Sequence, residues 1–224
     1  MKILGVCASP KGSRSQTLRL VKAVLNGARS KGCEVDLVDL CKLNIGYCDA
    51  CGVCYKKGKC HKKDDVQALY EKILTTDGLI MGSPNYFRSV TAQMKTLIDR
   101  MADAVHCQLL TGKYTVNVAT SGGVGNDRQV TKYLNKIMLN FGSFVTGSTG
   151  TSIRLGSKAM DAVERKAFHL GEKLAGDIRA RKVYMRQKKI HEENRKYFRQ
   201  LVNMHKNEWI HEHEFWSRTS KSKK

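Results

Sequence analysis

Lys2-Ile3-Leu4-Gly5-Val6-Cys7-Ala8 is a short, β-rich apolar run that passes straight into Ser9-Pro10-Lys11-Gly12-Ser13-Arg14-Ser15-Gln16-Thr17, a stretch with turn chemistry. Beyond it Leu18, Val21, Val24, Leu25 and Ala28 recur at helical spacing. The order is strand, polar loop, helix, and it repeats outward along the chain. Glu34 to Leu40 reads as a second strand, Gly78 to Ser83 as a third, Tyr114 to Thr120 as a fourth and Ser143 to Gly147 as a short fifth. Between and after them, helices are expected from an N-cap at Asp64, over Val90–Val105, through Val130–Phe141 and from about Ser157 to Ile178.

Strict alternation of β and α elements implies a parallel sheet with helices on both faces. Five such units fit a doubly wound, flavodoxin-like α/β sheet of strand order 2-1-3-4-5, in which ligands sit beyond the carboxyl ends of the strands. The loops that follow strands are therefore the candidate site. This domain is expected to span residues 1–180, with a cysteine-rich loop at 41–63 after strand 2, which should emerge on the same sheet edge as the other loops. Residues 181–224 read as a basic helical C-terminal extension, carrying Trp209, Phe215 and Trp216 and ending in a Ser/Lys tail expected to be disordered.

Composition narrows the function classes. The 224 residues are 41% hydrophobic and 27% charged, which excludes a wholly disordered or collagen-like chain. The apolar runs fall far short of a bilayer span, and no secretory signal is visible, so a cytoplasmic protein without a membrane segment is expected. Lys and Arg outnumber Asp and Glu by 40 to 20, a formal charge of +20. The basic arm reads first as a solvated face that packs on a neighbour through Tyr197, Leu201 and Trp209, and second as a surface for an acidic redox partner. Nucleic acid ranks lower, since no nucleic-acid motif accompanies the charge.

Three strand-end loops carry compatible chemistry. In Ser9–Thr17 the amides at a helix start and the hydroxyls of Ser9, Ser15 and Thr17 suit a phosphate. Neither the nucleoside-triphosphate loop nor the dinucleotide fingerprint is present, so a terminal monophosphate such as that of FMN fits better. Ser83-Pro84-Asn85-Tyr86-Phe87-Arg88-Ser89 offers aromatic and proline surface to a flat ring, although aromatics there could equally be helix-packing residues. Thr120-Ser121-Gly122-Gly123-Val124-Gly125-Asn126 offers a glycine-rich backbone that a planar ligand can approach closely.

Cys48-x2-Cys51-x2-Cys54-x5-Cys60 is the most specific feature of the chain. Thiols at two-residue intervals suit three irons of a cubane, and the spacer with Gly58 gives the length for the fourth ligand to return to the same cluster. Zinc, with His61 able to contribute, is the chief rival, and metal-free thiols are the third reading. Lys56, Lys57, Lys59, Lys62 and Lys63 are expected to favour thiolates and offset a cluster's negative charge. The other cysteines read as ordinary thiols: Cys7 as a buried strand residue, Cys33 and Cys107 as isolated thiols, and Cys41 as one near enough to the run for a spare ligand to be the minor alternative.

These pieces together resemble the iron–sulfur flavoprotein family, a branch of the flavodoxin-like NAD(P)H-dependent FMN reductases. The resemblance rests on Ser9–Thr17, the four-cysteine run ahead of Asp64-Asp65, Ser83–Phe87, and Val90-Thr91-Ala92-Gln93-Met94-Lys95 leading to Asp99-Arg100, and it covers about residues 1–180. It implies an FMN phosphate on Ser9, Arg14, Ser15, Gln16 and Thr17, with the ring against Ser83, Pro84, Asn85, Tyr86, Phe87, Ser121, Gly122 and Gly123. It also implies a [4Fe–4S] cluster on Cys48, Cys51, Cys54 and Cys60, homodimers or homotetramers, and electrons relayed from ferredoxin or another acidic redox protein, or from NAD(P)H as a transient donor, to a small acceptor. No side chain is required as nucleophile or acid, so no catalytic residue is named. Arg88 departs from the family pattern, in which a small residue, often glycine, stands. Two other function classes stay open: an NAD(P)H-dependent FMN or quinone reductase with zinc or no metal on the cysteine run, and a non-enzymatic flavin-fold module that grips an anionic partner.

Overall fold

The computed structural model describes residues 1–221. Strands β1 (Lys2–Cys7), β2 (Glu34–Asp39), β3 (Gly78–Pro84), β4 (Tyr114–Ser121) and β5 (Phe144–Ser152) form one parallel sheet in the order β2-β1-β3-β4-β5. The flavodoxin-like 2-1-3-4-5 topology read from the alternation is thus the observed one. Helices α1 (Gln16–Arg29) and α7 (Gly156–Arg179) cover one face, where Leu20, Val21, Val24, Ile80, Val116 and Leu174 are buried. On the other face α3 (Val66–Thr75), α4 (Ala92–Arg100) and α6 (Asn126–Asn140) enclose Leu69, Ile73, Met94, Leu97, Leu134 and Met138.

Four element boundaries differ from the sequence reading, each for a local reason. The helix expected over Val90–Val105 breaks at Met101 (φ −104°, ψ 33°) into α4 and the short α5 (Ala102–His106). β5 runs on through Gly147-Ser148-Thr149-Gly150-Thr151-Ser152, because an edge strand tolerates hydroxyls and glycines that carry no apolar signal. The cysteine loop holds its own one-turn helix, α2 (Val53–Lys57), bounded by Gly52 and Gly58 in the left-handed conformation. At the start of α3 the cap position is Asp65, while Asp64 Oδ1 accepts from Val66 N at 3.2 Å and Asp64 turns to other partners.

The C-terminal extension is two helices, α8 (Met185–Met204) and α9 (Ile210–Lys221), joined to the body of the same chain. Gln187 pairs its amide with the backbone of Val145, accepting from N at 2.8 Å and donating to O at 2.9 Å, so one side chain extends the sheet edge. His191 is buried against Phe144, and Asn194 donates to Asn140 at 3.2 Å. The tail expected to be disordered after Trp216 is helical up to Lys221, and its last residues, 222–224, lie outside those described. Among the described residues no helix is long and apolar enough to cross a membrane.

Candidate functional site

The loops after β1, β3 and β4 meet at the carboxyl edge of the sheet and are tied to one another. Thr17 and Thr120 share a hydroxyl–hydroxyl bond of 2.6 Å, joining the first turn of α1 to the end of β4. Asn85 N donates to Thr120 O at 2.7 Å, and Thr91 N donates to Ser83 Oγ at 3.0 Å. Thr91 Oγ1, the N-cap of α4, donates to Ala8 O at 2.9 Å and so closes the third loop onto the first strand.

Of the residues expected to meet a phosphate, Ser9 and Ser15 are buried at the loop base, whereas Arg14 and Gln16 are exposed around it. Ser15 caps α1 by accepting from Leu18 N at 3.0 Å, which leaves its own O–H to donate. Thr17 is fully buried, its hydroxyl engaged with Thr120. No carboxylate stands between Ser9 and Thr17, so hydroxyls, loop amides and a helix start face one edge. That donor set fits a phosphate. On the opposite lip Ser121 Oγ donates to Gly123 O at 2.6 Å, and Gly122 is exposed with open space where a Cβ would project. A flat group has access to the backbone there.

The aromatic loop is built differently from a packed wall. Tyr86 and Ser89 exchange backbone bonds of 2.9 and 3.0 Å across a two-residue turn in which Phe87 (φ 47°) and Arg88 (φ 64°) are both left-handed. This is the turn geometry that normally selects glycine or asparagine. Phe87 is fully exposed at its tip, Tyr86 is exposed, and Pro84 and Asn85 lie half-buried behind them. Position 88 thus has a backbone that glycine would adopt without strain. Arg88→Gly is expected to stabilise the protein by about 0.5–1 kcal/mol, by relieving a left-handed non-glycine residue. A higher urea midpoint with unchanged slope is the check.

The cysteine loop is closed at its neck. Asn44 and Asp65 exchange bonds of 2.7 and 3.0 Å, and Asp64 Oδ2 accepts from Gly46 N at 3.0 Å. Arg100, at the end of α4, grips Asp64 with two bonds of 2.7 and 3.0 Å and donates to Gly46 O at 2.7 Å. Burial would lower the Arg100 pKa, but Asp64 and the adjacent Cys60 sulfur outweigh it and raise it. The buried Arg100 Nε–H meets no oxygen or nitrogen acceptor, and the guanidinium lies beside the Cys60 sulfur. A cation with a spare donor beside Cys60 fits an anionic group in the loop.

Among the described residues no three of the four cysteine sulfurs lie within 4.8 Å of one another. Cys48 and Cys51 are exposed, Cys54 and Cys60 half-buried. The set of ligand atoms that does converge among the described residues, all within 4.8 Å, is Asp49, Cys51 and His61. Asp49 accepts from His61 Nε2 at 2.9 Å and pairs with Lys62 at 3.1 Å, and its pKa is held far below the usual carboxylate range by Cys51 first, then Lys62 and His61. At Cys54 burial outweighs the surrounding lysines and pushes the thiol up to about 12, with Asp103 and Glu212 adding to it.

The loop runs along α4. It leaves β2 beside the start of that helix, where Cys41, Leu43, Ile45 and Tyr47 line one pocket with Ala92, Gln93 and Thr96, and its neck and α2 reach Arg100 and α5. The nine residues of α4 span ~14 Å at 1.5 Å per residue, from Thr91 in the sheet-edge site to Arg100 at the neck. Nothing in β-strand spacing announces this. The Arg100–Asp64 pair, 36 residues apart, is the contact that sequence reasoning missed, although both residues lay in quoted motifs.

Comparison with known proteins agrees with this geometry. The family model for NADPH-dependent FMN reductase matches residues 1–156. An iron-sulfur flavoprotein of Archaeoglobus fulgidus is 35% identical over 176 residues, covering 78% of this chain and 79% of that one. An iron-sulfur flavoprotein of Methanocaldococcus jannaschii is 39% identical over 100 residues, 45% of this chain and 51% of its own length. Among solved structures, an azoreductase from Bacillus anthracis aligns with a TM-score of 0.62 at 19% identity, over 77% of this chain and 99% of that one. A flavone reductase aligns with a TM-score of 0.65 at 18% identity, over 80% and 63%. At such identities they speak for the fold alone. With its sheet-edge site and its match over most of the sequence, the chain belongs to the NADPH-dependent FMN reductase family, on the branch of the iron–sulfur flavoproteins, and is an FMN-binding oxidoreductase.

Proposed function

We propose that the chain is an NAD(P)H-dependent, FMN-using reductase of small acceptors, holding the flavin at the carboxyl edge of the sheet. The observation that carries this reading is the convergence of the three strand-end loops through Thr17, Thr91 and Thr120. In this reading Ser9, Arg14, Ser15, Gln16 and Thr17 surround the phosphate. Ser83, Pro84, Asn85, Tyr86 and Phe87 flank one side of the ring, and Ser121, Gly122 and Gly123 the other. Bound flavin supplies one- and two-electron exchange. The protein's residues bind and orient it, and none is needed as a nucleophile.

For the cysteine loop, the observed contacts favour a reductase without a cluster, its loop empty or holding one ion near Asp49, Cys51 and His61. Four thiolates on one zinc at ~2.3 Å would stand ~3.8 Å apart, a convergence this loop does not display. The second reading is a [4Fe–4S] cluster on Cys48, Cys51, Cys54 and Cys60 that exchanges single electrons with the flavin. It is supported by the spare, buried Arg100 donor beside Cys60 and by the name the relatives carry. Ferredoxin or another acidic redox protein, drawn by the +20 charge, would then be the donor. All eight cysteines stand unpaired, in keeping with a reducing, cytoplasmic setting, and a homodimer or homotetramer is the proposed assembly.

Anaerobic purification followed by an absorption spectrum and analysis of iron, sulfide and zinc separates the readings. Flavin bands with zinc or no metal support the first. About four irons per chain with a broad visible band support the second, in which case Cys54→Ala should lose the iron and keep the flavin. A colourless protein that takes up no FMN would overturn both.

A further inference from the structure

The C-terminal arm lies beyond residue 156, where the family match ends, and it folds back onto the cysteine loop of its own chain. Helix α9 packs on α2, the one-turn helix that carries Cys54. Trp209, just before α9, stacks on His106 of α5 with ring centroids 4.8 Å apart and planes 9° apart, and meets the tilted ring of Tyr55 of α2 at 4.8 Å. Tyr55 also meets His106 at 4.9 Å, so three rings from three parts of the chain close on one another. Glu212 has no exposed surface and accepts from His106 Nδ1 at 3.0 Å. At Gly58, which ends α2, a Cβ would lie 2.4 Å from the His211 ring, so the loop's own glycine makes room for α9. Glu212 also acts electrostatically on Cys54.

These contacts share one consequence. The loop's Cys54 side is half-buried beside these contacts, while its Cys48–Cys51 side is open to solvent. We propose that α9 and Trp209 form the outer wall of the cysteine loop. Trp209 and Glu212 are positioning residues: they hold α2 so that Cys54 faces inward, and they leave the Cys48–Cys51 side as the route by which a metal, an electron donor or a reagent reaches the loop. The wall stands on this chain's own side chains and is independent of which of the two readings of the loop holds.

The test uses the full-length protein purified anaerobically, as wild type and as Trp209→Ala, Trp209→Phe and Glu212→Gln. Each is pulsed with iodoacetamide, and modification of Cys48 and Cys54 is followed in the same molecule by peptide mass spectrometry. In parallel, release of bound iron or zinc to a chelator is timed. In the wild type, Cys54 is expected to react at least ~tenfold more slowly than Cys48, an energy difference of about 1.4 kcal/mol. Trp209→Ala and Glu212→Gln should raise the Cys54 rate ~tenfold or more and leave Cys48 unchanged. Trp209→Phe, which keeps a stacking ring, should restore protection, and any bound metal should leave faster in the first two variants only. Bound FMN, read by absorbance, serves as the fold control. In metal-free protein, equal labelling of Cys54 and Cys48 in the wild type, or undiminished protection of Cys54 in both disruptive variants, would overturn the wall; in metal-loaded protein, release of the metal no faster in either disruptive variant than in the wild type would overturn it. A wild type free of iron discards the cluster reading alone, and the labelling ratio then decides the inference.

Discussion

Replacing Asp64 by alanine is expected to destabilise the protein by about 3–5 kcal/mol, the range for stripping a buried charge of its partner. The side chain of Arg100 is 1% exposed and that of Asp64 8%, so water cannot take the carboxylate's place. The loss falls on the neck of the cysteine loop, because the same carboxylate also receives Gly46 N and Val66 N. Asp64→Asn keeps those two bonds in part and should fall between alanine and wild type. Urea unfolding at neutral pH reads the difference, and an Asp64→Ala variant within 1 kcal/mol of wild type would contradict it. The pH dependence has a definite sign. Burial works against the Asp64 carboxylate, but Arg100 and the two backbone donors outweigh it and hold its folded pKa below the ordinary value. Its contribution is therefore complete above the unfolded carboxylate range and is lost as pH falls through the depressed folded value. Wild type and Asp64→Ala should converge in stability on acidification. Asp103 contributes oppositely: burial, helped by Glu212 and opposed by the bond from Tyr70, raises it to about 6. That part of the stability declines as pH rises from the ordinary aspartate range through about 6.

The sheet was legible because its signal is local. Leu18, Val21, Val24, Leu25 and Ala28 mark α1 in one window of sequence, and alternation then leaves few ways to order five parallel strands. β5 was read short because Ser148, Thr149 and Thr151 carry no apolar signal on an edge strand where none is required. The sheet-edge loops were legible as positions, since topology alone sends them to one end. Their internal order was not: the bond between Thr17 and Thr120 joins residues 103 apart, and the hydroxyl needed for it looks like any other. The left-handed backbone at Phe87 and Arg88 was hidden too, for the residues that usually announce such a turn are absent.

The cysteine run shows the sharpest division between motif and environment. Spacing places the thiols in one loop, and the lysines around them read as a field that would deprotonate them. What decides the Cys54 thiol instead is cover from α2, α5 and α9, with Asp103 and Glu212 supplying negative charge from elements distant in sequence. The basic arm carried a similar ambiguity. Its charge count invited a partner, yet its apolar and aromatic residues, Trp209 and His191 among them, engage this chain's own body.

A substitution far from the sheet edge is expected to damage the flavin site more than most changes within it. Helices α1 and α7 touch backbone to backbone: a Cβ at Gly171 would come within 1.9 Å of Val24 O, and one at Gly27 within 1.9 Å of Phe168 O. On its other side α1 lies against Gly5 and Gly82, where a Cβ would meet Val21 at 2.9 and 2.3 Å. The helix that begins with Ser15, Gln16 and Thr17 is thus clamped between glycines, and it can yield only by moving as a unit. Gly171→Leu forces that movement and is expected to cost about 3 kcal/mol, the upper end for overpacking, because backbone atoms cannot rotate aside. The displaced first turn would strain the Thr17–Thr120 bond and open the phosphate loop. FMN affinity should therefore fall at least ~tenfold, although residue 171 touches none of the proposed ligand residues. Gly176 supplies the control within the same helix: nothing lies within 4 Å of a Cβ there, and Gly176→Ala should stabilise by about 0.5–1 kcal/mol with unchanged FMN binding. Fluorescence titration of FMN into the two variants separates the outcomes, and equal affinities would show that the clamp does not set the position of the loop.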